Sequence, residues 1–206
     1  MLGQRASFCG DFGIPAERLT LAVNNILSGG MNATGKVGDV RILEAKEVDA
    51  EFHARYEAKG KKYIYRILNK DETNIFARNY HYQVKKKLDF AAMKKGAEYI
   101  VGTHDFKCFQ AAGGEEKKTT VRTVYSLQLR KEGEEILLEI KGDGFLYNMV
   151  RIITGTLVDV GLGKIEPEKV KEIIESRDRQ QAGHTAPPQG LYLAEVYYDL
   201  EELTSL

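Results

Sequence analysis

Strand-period segments in this 206-residue chain come in adjacent runs instead of alternating one by one with helices. That order disfavours a doubly wound, dinucleotide-type fold, which needs β and α in strict alternation. The clearest segment is 61–68, where Tyr63, Tyr65 and Ile67 point one way and Ile64, Arg66 and Leu68 the other. Residues 39–48 before it and 80–84 after it also read as strands. Residues 119–129 and 135–140 read as a hairpin across 131–134, and 191–198 as the last strand.

Helical patterns fill the remainder. Residues 15–27 open on Pro15, tolerated in a first turn, and place Leu19, Ala22, Val23 and Ile26 on one face. Ser28-Gly29-Gly30 stops this helix, and a glycine-rich loop runs to residue 38. Asp89 caps a second helix carrying Phe90, Met93, Ala97 and Ile100, closed by Gly102. After Gly142-Asp143-Gly144 a long helix buries Leu146, Met149, Val150, Ile153, Leu157 and Val160, with Arg151 about 100° off that stripe. A short helix spans 167–177, and 178–190 is a loop. The order α-β-β-β-α-β-β-α-α-β predicts an α+β fold: a mixed, mainly antiparallel sheet with helices packed on one face.

Composition fits a globular chain that buries its own core, with 43% hydrophobic and 29% charged residues. No apolar run reaches the roughly 18 residues of a membrane span, and residues 1–10 do not read as a signal peptide. Two distant cysteines, Cys9 and Cys108, point to a reduced, cytoplasmic protein. The net charge is zero, yet residues 53–87 carry ten Lys/Arg against three acids, with five tyrosines among them. Such a mixture suits phosphates and unstacked bases. It equally describes a solvated strand pair with tyrosines in the core, the plainer reading of a charge run.

Several other patterns carry no chemistry. His53, His81, His104 and His184 have neither i,i+4 spacing nor cysteines at ligand spacing, so no metal site is expected. Gly142-Asp143-Gly144 has Tyr147 where a third glycine belongs and reads as a tight turn. Gly161-Leu162-Gly163-Lys164 follows a helix and reads as its C-cap.

Five segments in register do carry a resemblance. They are Phe52-His53-Ala54-Arg55-Tyr56-Glu57-Ala58-Lys59 running into Lys62-Tyr63-Ile64-Tyr65-Arg66-Ile67; Gly102-Thr103-His104-Asp105-Phe106; Thr120-Val121-Arg122-Thr123-Val124; Gly144-Phe145-Leu146-Tyr147-Asn148-Met149-Val150-Arg151-Ile152-Ile153 with Gly155-Thr156-Leu157; and Thr185-Ala186-Pro187-Pro188-Gln189-Gly190-Leu191-Tyr192-Leu193. Together they resemble the tRNA pseudouridine synthase A family over nearly the whole chain. The resemblance implies a pseudouridine-synthase-like fold, a homodimer and tRNA as partner. The implied reaction isomerises uridine to pseudouridine in the anticodon stem-loop, with no cofactor and no metal. In that reaction an aspartate acts as nucleophile on an extruded uridine.

Tyr63 matches the family's active-site tyrosine, which stacks on the base and can relay a proton. Arg151 matches the basic residue that pairs with the catalytic aspartate. Arg55 and Arg122, with Lys61 and Lys62 behind them, are candidates for phosphate contacts, against a reading as solvated surface charge, and His53 and Asn148 are candidates to order the pocket by hydrogen bonds. Leu191 and Leu193 are candidates to close one side of the base pocket and equally read as plain core of a buried strand.

The nucleophile itself belongs to a G-R-T-D-A-G-V-H-A motif that precedes a G-Q-x-x-x-F segment in family members. Gly3-Gln4 and Phe8 fit that second segment, so the aspartate is expected upstream of the first residue. Asp143 and Asp105 lack its loop context. Residues 1–50 are then expected to be a remnant of an N-terminal α/β half, and 51–206 a C-terminal α+β half with an RNA-facing cleft. Without that half, the chain alone is expected to be inactive and to be poorly stable or self-associating.

Overall fold

β1 (Gly60–Leu68) is the strand on which the sheet is organised. The computed structural model describes residues 3–29, 39–72, 74–114 and 118–204. The chain divides into two compact units, a larger one of Met1–Arg5 with Ala58–Leu206 and a smaller one of Ala6–Glu57.

In the larger unit, one edge of β1 pairs antiparallel with β5 (Glu135–Gly142) along its length, from Lys61 opposite Gly142 to Leu68 opposite Glu135. β5 pairs with β4 (Val121–Glu132), and β4 with β3 (Gly102–Asp105), both antiparallel. The second edge of β1 is shared. β6 (Leu191–Tyr197) takes Gly60 to Tyr65, and β2 (Tyr82–Gln83) runs parallel to Ile67 and Leu68. The expected α+β architecture with a mixed, mainly antiparallel sheet is therefore present.

The alternation of β1 sorts its side chains. Tyr65 and Ile67, with their partners Leu138 and Ile136, are fully buried. They join one core with Met93 and Ala97 of α2 (Phe90–Glu98), with Val170, Ile173 and Ile174 of α4 (Lys169–Ser176), and with α3 (Met149–Gly161). Arg66 and Lys62 face the other way, where they meet Glu135 and Glu139. Burying a Leu- or Ile-sized side chain stabilises by about 1.5–3 kcal/mol, so the core on the helical side dominates the fold.

Asp89 caps α2 as expected, its carboxylate accepting from Ala92 N at 3.0 Å. α3 starts at Met149 because Asn148 takes a left-handed conformation with φ 59°. Arg177, with φ 56°, ends α4 in the same way.

Four sequence expectations need correction. Residues 39–48 form no strand; Ile42 N and O are instead held by the side-chain amide of Asn24, each at 2.8 Å. The strand expected over 80–84 shrinks to Tyr82–Gln83, because β6 already occupies most of that edge of β1. β3 and α5 (Leu200–Thr204) were not anticipated. Gly102 opens β3 at φ +119° instead of closing α2, which ends at Glu98. The glycine-rich stretch 30–38 lies outside the described residues.

The smaller unit contains α1 (Ala16–Leu27), which has no buried residue and leaves Leu21 and Ile26 exposed. No helix among the described residues is long and apolar enough to cross a membrane.

Candidate active site

Every residue of α3 except Arg151 is buried. The guanidinium lies in the helix's first turn and is gripped on two sides. Its Nε donates to Ala186 O at 2.7 Å and its Nη1 to Asn148 Oδ1 at 3.0 Å. The left-handed backbone of Asn148 sets it at the helix start, so its amide serves Arg151 and makes no helix-capping bond. Of the five guanidinium N–H groups, the two on Nη2 have no partner among the described residues. A fork held from behind with donors to spare is arranged for a planar anion such as a carboxylate.

The loop that grips Arg151 also meets β1. Tyr65, on the helical side of the sheet, donates its hydroxyl to Pro187 O at 2.5 Å. Burial first, and then the neighbouring Tyr82, hold this phenol in its protonated form, against the opposing pull of Arg151. Tyr63 lies two residues away on the same face, half-buried, with its ring edge-on to Phe145 at 5.2 Å. Burial raises its phenol above the ordinary value, so it remains a hydrogen-bond donor through neutral pH. Leu193 stands opposite Tyr63 across the β1–β6 pair, and Leu191 opposite Tyr65. Tyr63, Leu191, Asn148 and Arg151 thus all belong to elements joined through the 185–190 segment and the start of α3.

The basic residues are spread more widely. Lys61 and Lys62 are adjacent on β1 and so point to opposite faces of the sheet. Lys62 is on the face away from Tyr63, paired with Glu139 at 2.9 Å, and Glu139 also holds Arg130. Arg122 of β4 is half-buried, its Nη1 donating to Thr119 O at 3.0 Å and Val121 O at 2.5 Å. It flanks Gly144, where an added Cβ would lie 3.4 Å from its Nε. His53 and Arg55 are exposed and belong to the smaller unit. There His53 Nδ1 accepts from Arg55 N at 3.1 Å, and the Arg55 guanidinium lies 5.7 Å from the Tyr56 ring centre.

The aspartates set aside from sequence are committed elsewhere. Asp143 accepts from Thr123 N. Asp105 accepts from Lys107 N and the Thr120 hydroxyl and pairs with Arg177. Burial pushes the Cys108 thiol up to about 12, which makes it inert as a nucleophile. Among the described residues no group of three His, Cys, Asp or Glu is placed to hold a metal ion.

Comparison with known proteins decides the family. A family model described as tRNA pseudouridine synthase matches residues 97–199. The chain is 49% identical over 197 residues to tRNA pseudouridine synthase A of Acetivibrio thermocellus, covering 96% of this chain and 77% of that protein. It is 47% identical to the namesake of Thermoanaerobacter sp. (strain X514), with the same coverage. It is 41% identical to that of Bacillus pumilus, over 96% of this chain and 76% of the relative. The chain belongs to the tRNA pseudouridine synthase family.

Within this tRNA pseudouridine synthase chain, several polar residues escaped the sequence reading. Asp159, His184, Tyr82 and Lys164 form one connected chain. Asp159 Oδ2 accepts from His184 Nδ1 at 2.9 Å, Oδ1 pairs with Lys164 at 2.8 Å, and His184 Nε2 meets the Tyr82 hydroxyl at 3.1 Å. Burial would raise the Asp159 carboxyl, but the bonds from Lys164 and His184 outweigh it and hold it below its ordinary value. The one available signal was a carboxylate inside an otherwise apolar helix, which needs partners to be buried there.

Proposed function

We propose that this chain holds tRNA for isomerisation of uridine to pseudouridine in the anticodon stem-loop, as one subunit of a cytoplasmic homodimer. Arg151 pairs with the nucleophilic aspartate. Tyr63 stacks on the extruded uracil, and its protonated phenol donates a hydrogen bond while the glycosidic bond breaks and the base turns to rejoin through C5. Leu191 closes the base pocket and Asn148 orders it. Arg55, Arg122 and Lys61 contact backbone phosphates, with His53 supporting Arg55, while Lys62 stays on the opposite face with Glu139. No cofactor enters this scheme.

The observation that carries the reading is Arg151, the one unburied residue of α3, braced by Ala186 and Asn148 with its Nη2 donors unused among the described residues. Structural arginines that only neutralise a buried acid are paired with it; this one is braced by neutral oxygens, which leaves its charge for another group.

The 206 residues contain no G-R-T-D-A-G segment. In this reading a segment carrying that motif supplies the nucleophile, and residues 1–50 belong to the α/β half that adjoins it. Residues 51–206 form the α+β half with the RNA-facing cleft. A second reading, a binding module that holds tRNA without isomerising it, rests on the same missing segment. Both require tRNA binding that depends on phosphate neutralisation. Titration of the chain with unmodified tRNA is expected to give an affinity that falls log-linearly with salt, each phosphate contact adding roughly 0.7–0.9 to the slope. Arg122→Ala lowers that slope by about one such unit. Affinity insensitive to salt would contradict both readings.

A further inference from the structure

The segment 183–187 lies along α3 as a strap, fastened at both ends. At the far end Gly183 N donates to Thr156 Oγ1 at 2.9 Å, His184 N to Asp159 Oδ2 at 3.3 Å, and His184 Nδ1 bonds the same Oδ2 at 2.9 Å. At the near end Ala186 N donates to Arg151 O at 3.1 Å, while Ala186 O receives Arg151 Nε at 2.7 Å. Between the two ends the strap presses on the helix backbone. A Cβ at Gly155 would lie 1.8 Å from His184 O, and one at Gly183 would lie 2.6 Å from Thr156 Cα. Such contacts are possible only with glycine at both positions.

Ala186 is tied to α3 by its own N–H to Arg151 O, and the direction of its carbonyl is set further by the residues on either side: Pro187, whose carbonyl is held by Tyr65, and Thr185 and His184, held by Arg179 and Asp159. The imidazole is itself fixed at both nitrogens, by Asp159 and by the Tyr82 hydroxyl of β2.

We infer that Asp159 and His184 are positioning residues for Arg151, acting through the strap they fasten to α3. They touch neither substrate nor nucleophile. They set Ala186 O, and Ala186 O sets the direction of the guanidinium fork. The functional importance of this device rests on the proposed role of Arg151, but its existence does not.

The test reads Arg151 directly, in the 206-residue chain labelled with 15N-arginine, as hydrogen exchange of its Nε–H. The variants are His184→Ala, Asp159→Ala, Gly155→Ala and His184→Asn, whose amide reproduces the Nδ1 donor. Loss of the strap is expected to speed exchange at Nε–H by about tenfold or more, the equivalent of one lost charged hydrogen bond. His184→Asn restores slow exchange, and Gly155→Ala reproduces the defect without touching either polar residue. Unchanged exchange in both His184→Ala and Gly155→Ala would overturn the inference, as would failure of His184→Asn to protect the group in a folded chain. Binding of tRNA to the same variants is the separate arm. If the unaltered chain shows slow Nε–H exchange and the variants fast exchange, the positioning stands even where tRNA binding is absent; that absence counts against the proposed function alone.

Discussion

Tyr63 and Arg151 differ in how far the sequence could place them. The alternation of β1 was enough to put Tyr63 on the face of Tyr65 and Ile67, and the structure keeps it there, half-buried beside Phe145. The position of Arg151 off the apolar stripe was also visible. Its grip was not, because Ala186 is 35 residues away and offers a carbonyl that no side-chain pattern announces. The same limit hid His184, whose partner Asp159 is 25 residues distant. At this scale Tyr63→Ala is expected to weaken tRNA binding about tenfold to a hundredfold, the loss of one base stack. Tyr63→Phe keeps the ring and should leave affinity nearly unchanged. Because burial raises this phenol, its ionisation should not weaken binding until the pH exceeds the ordinary value of about 10. A titration of affinity against pH in both proteins checks this; an earlier loss that Tyr63→Phe abolishes would contradict it.

Elements with a strong apolar period were legible, and elements made by pairing were not. The stripe of α3 and the cap of α2 are local properties, read from spacing and from Asp89. β3 is Gly-Thr-His-Asp, without any alternation, and is a strand only because β4 lies beside it. Residues 39–48 have the opposite history: a strand-like pattern whose backbone is met at Ile42 by an asparagine side chain. The Asp159 pair gives a prediction for the 178–190 segment. A carboxyl held below its ordinary value contributes stability that is present above the unfolded value, about 4, and is lost as the pH falls through the folded value. Asp159→Asn should therefore be less stable than the unaltered chain at pH 7, with the gap narrowing below pH 4. Thermal unfolding across that range measures it, and a gap that is constant with pH would contradict the assignment.

For the whole molecule, the two units differ in how much they bury. The larger holds one hydrophobic core drawn from Tyr65 to Ala186. The smaller exposes Phe8, Leu21, Ile26 and Leu43 along with a helix that has no buried residue. Exposed apolar surface of that kind favours association. Sedimentation of the 206-residue chain is expected to show concentration-dependent self-association, and amide exchange should find α1 far less protected than α3. A monomer with equal protection in both helices would contradict this.

In the proposed function these residues hold the substrate and a G-R-T-D-A-G segment supplies the nucleophile. Release of tritium from tRNA labelled at uridine C5 reads isomerisation directly. The 206-residue chain is predicted to bind the tRNA and release no tritium, and an N-terminally extended chain carrying the aspartate segment is predicted to release it. Release by the 206-residue chain alone would contradict the absence of the nucleophile, and silence of the extended chain would contradict the enzyme.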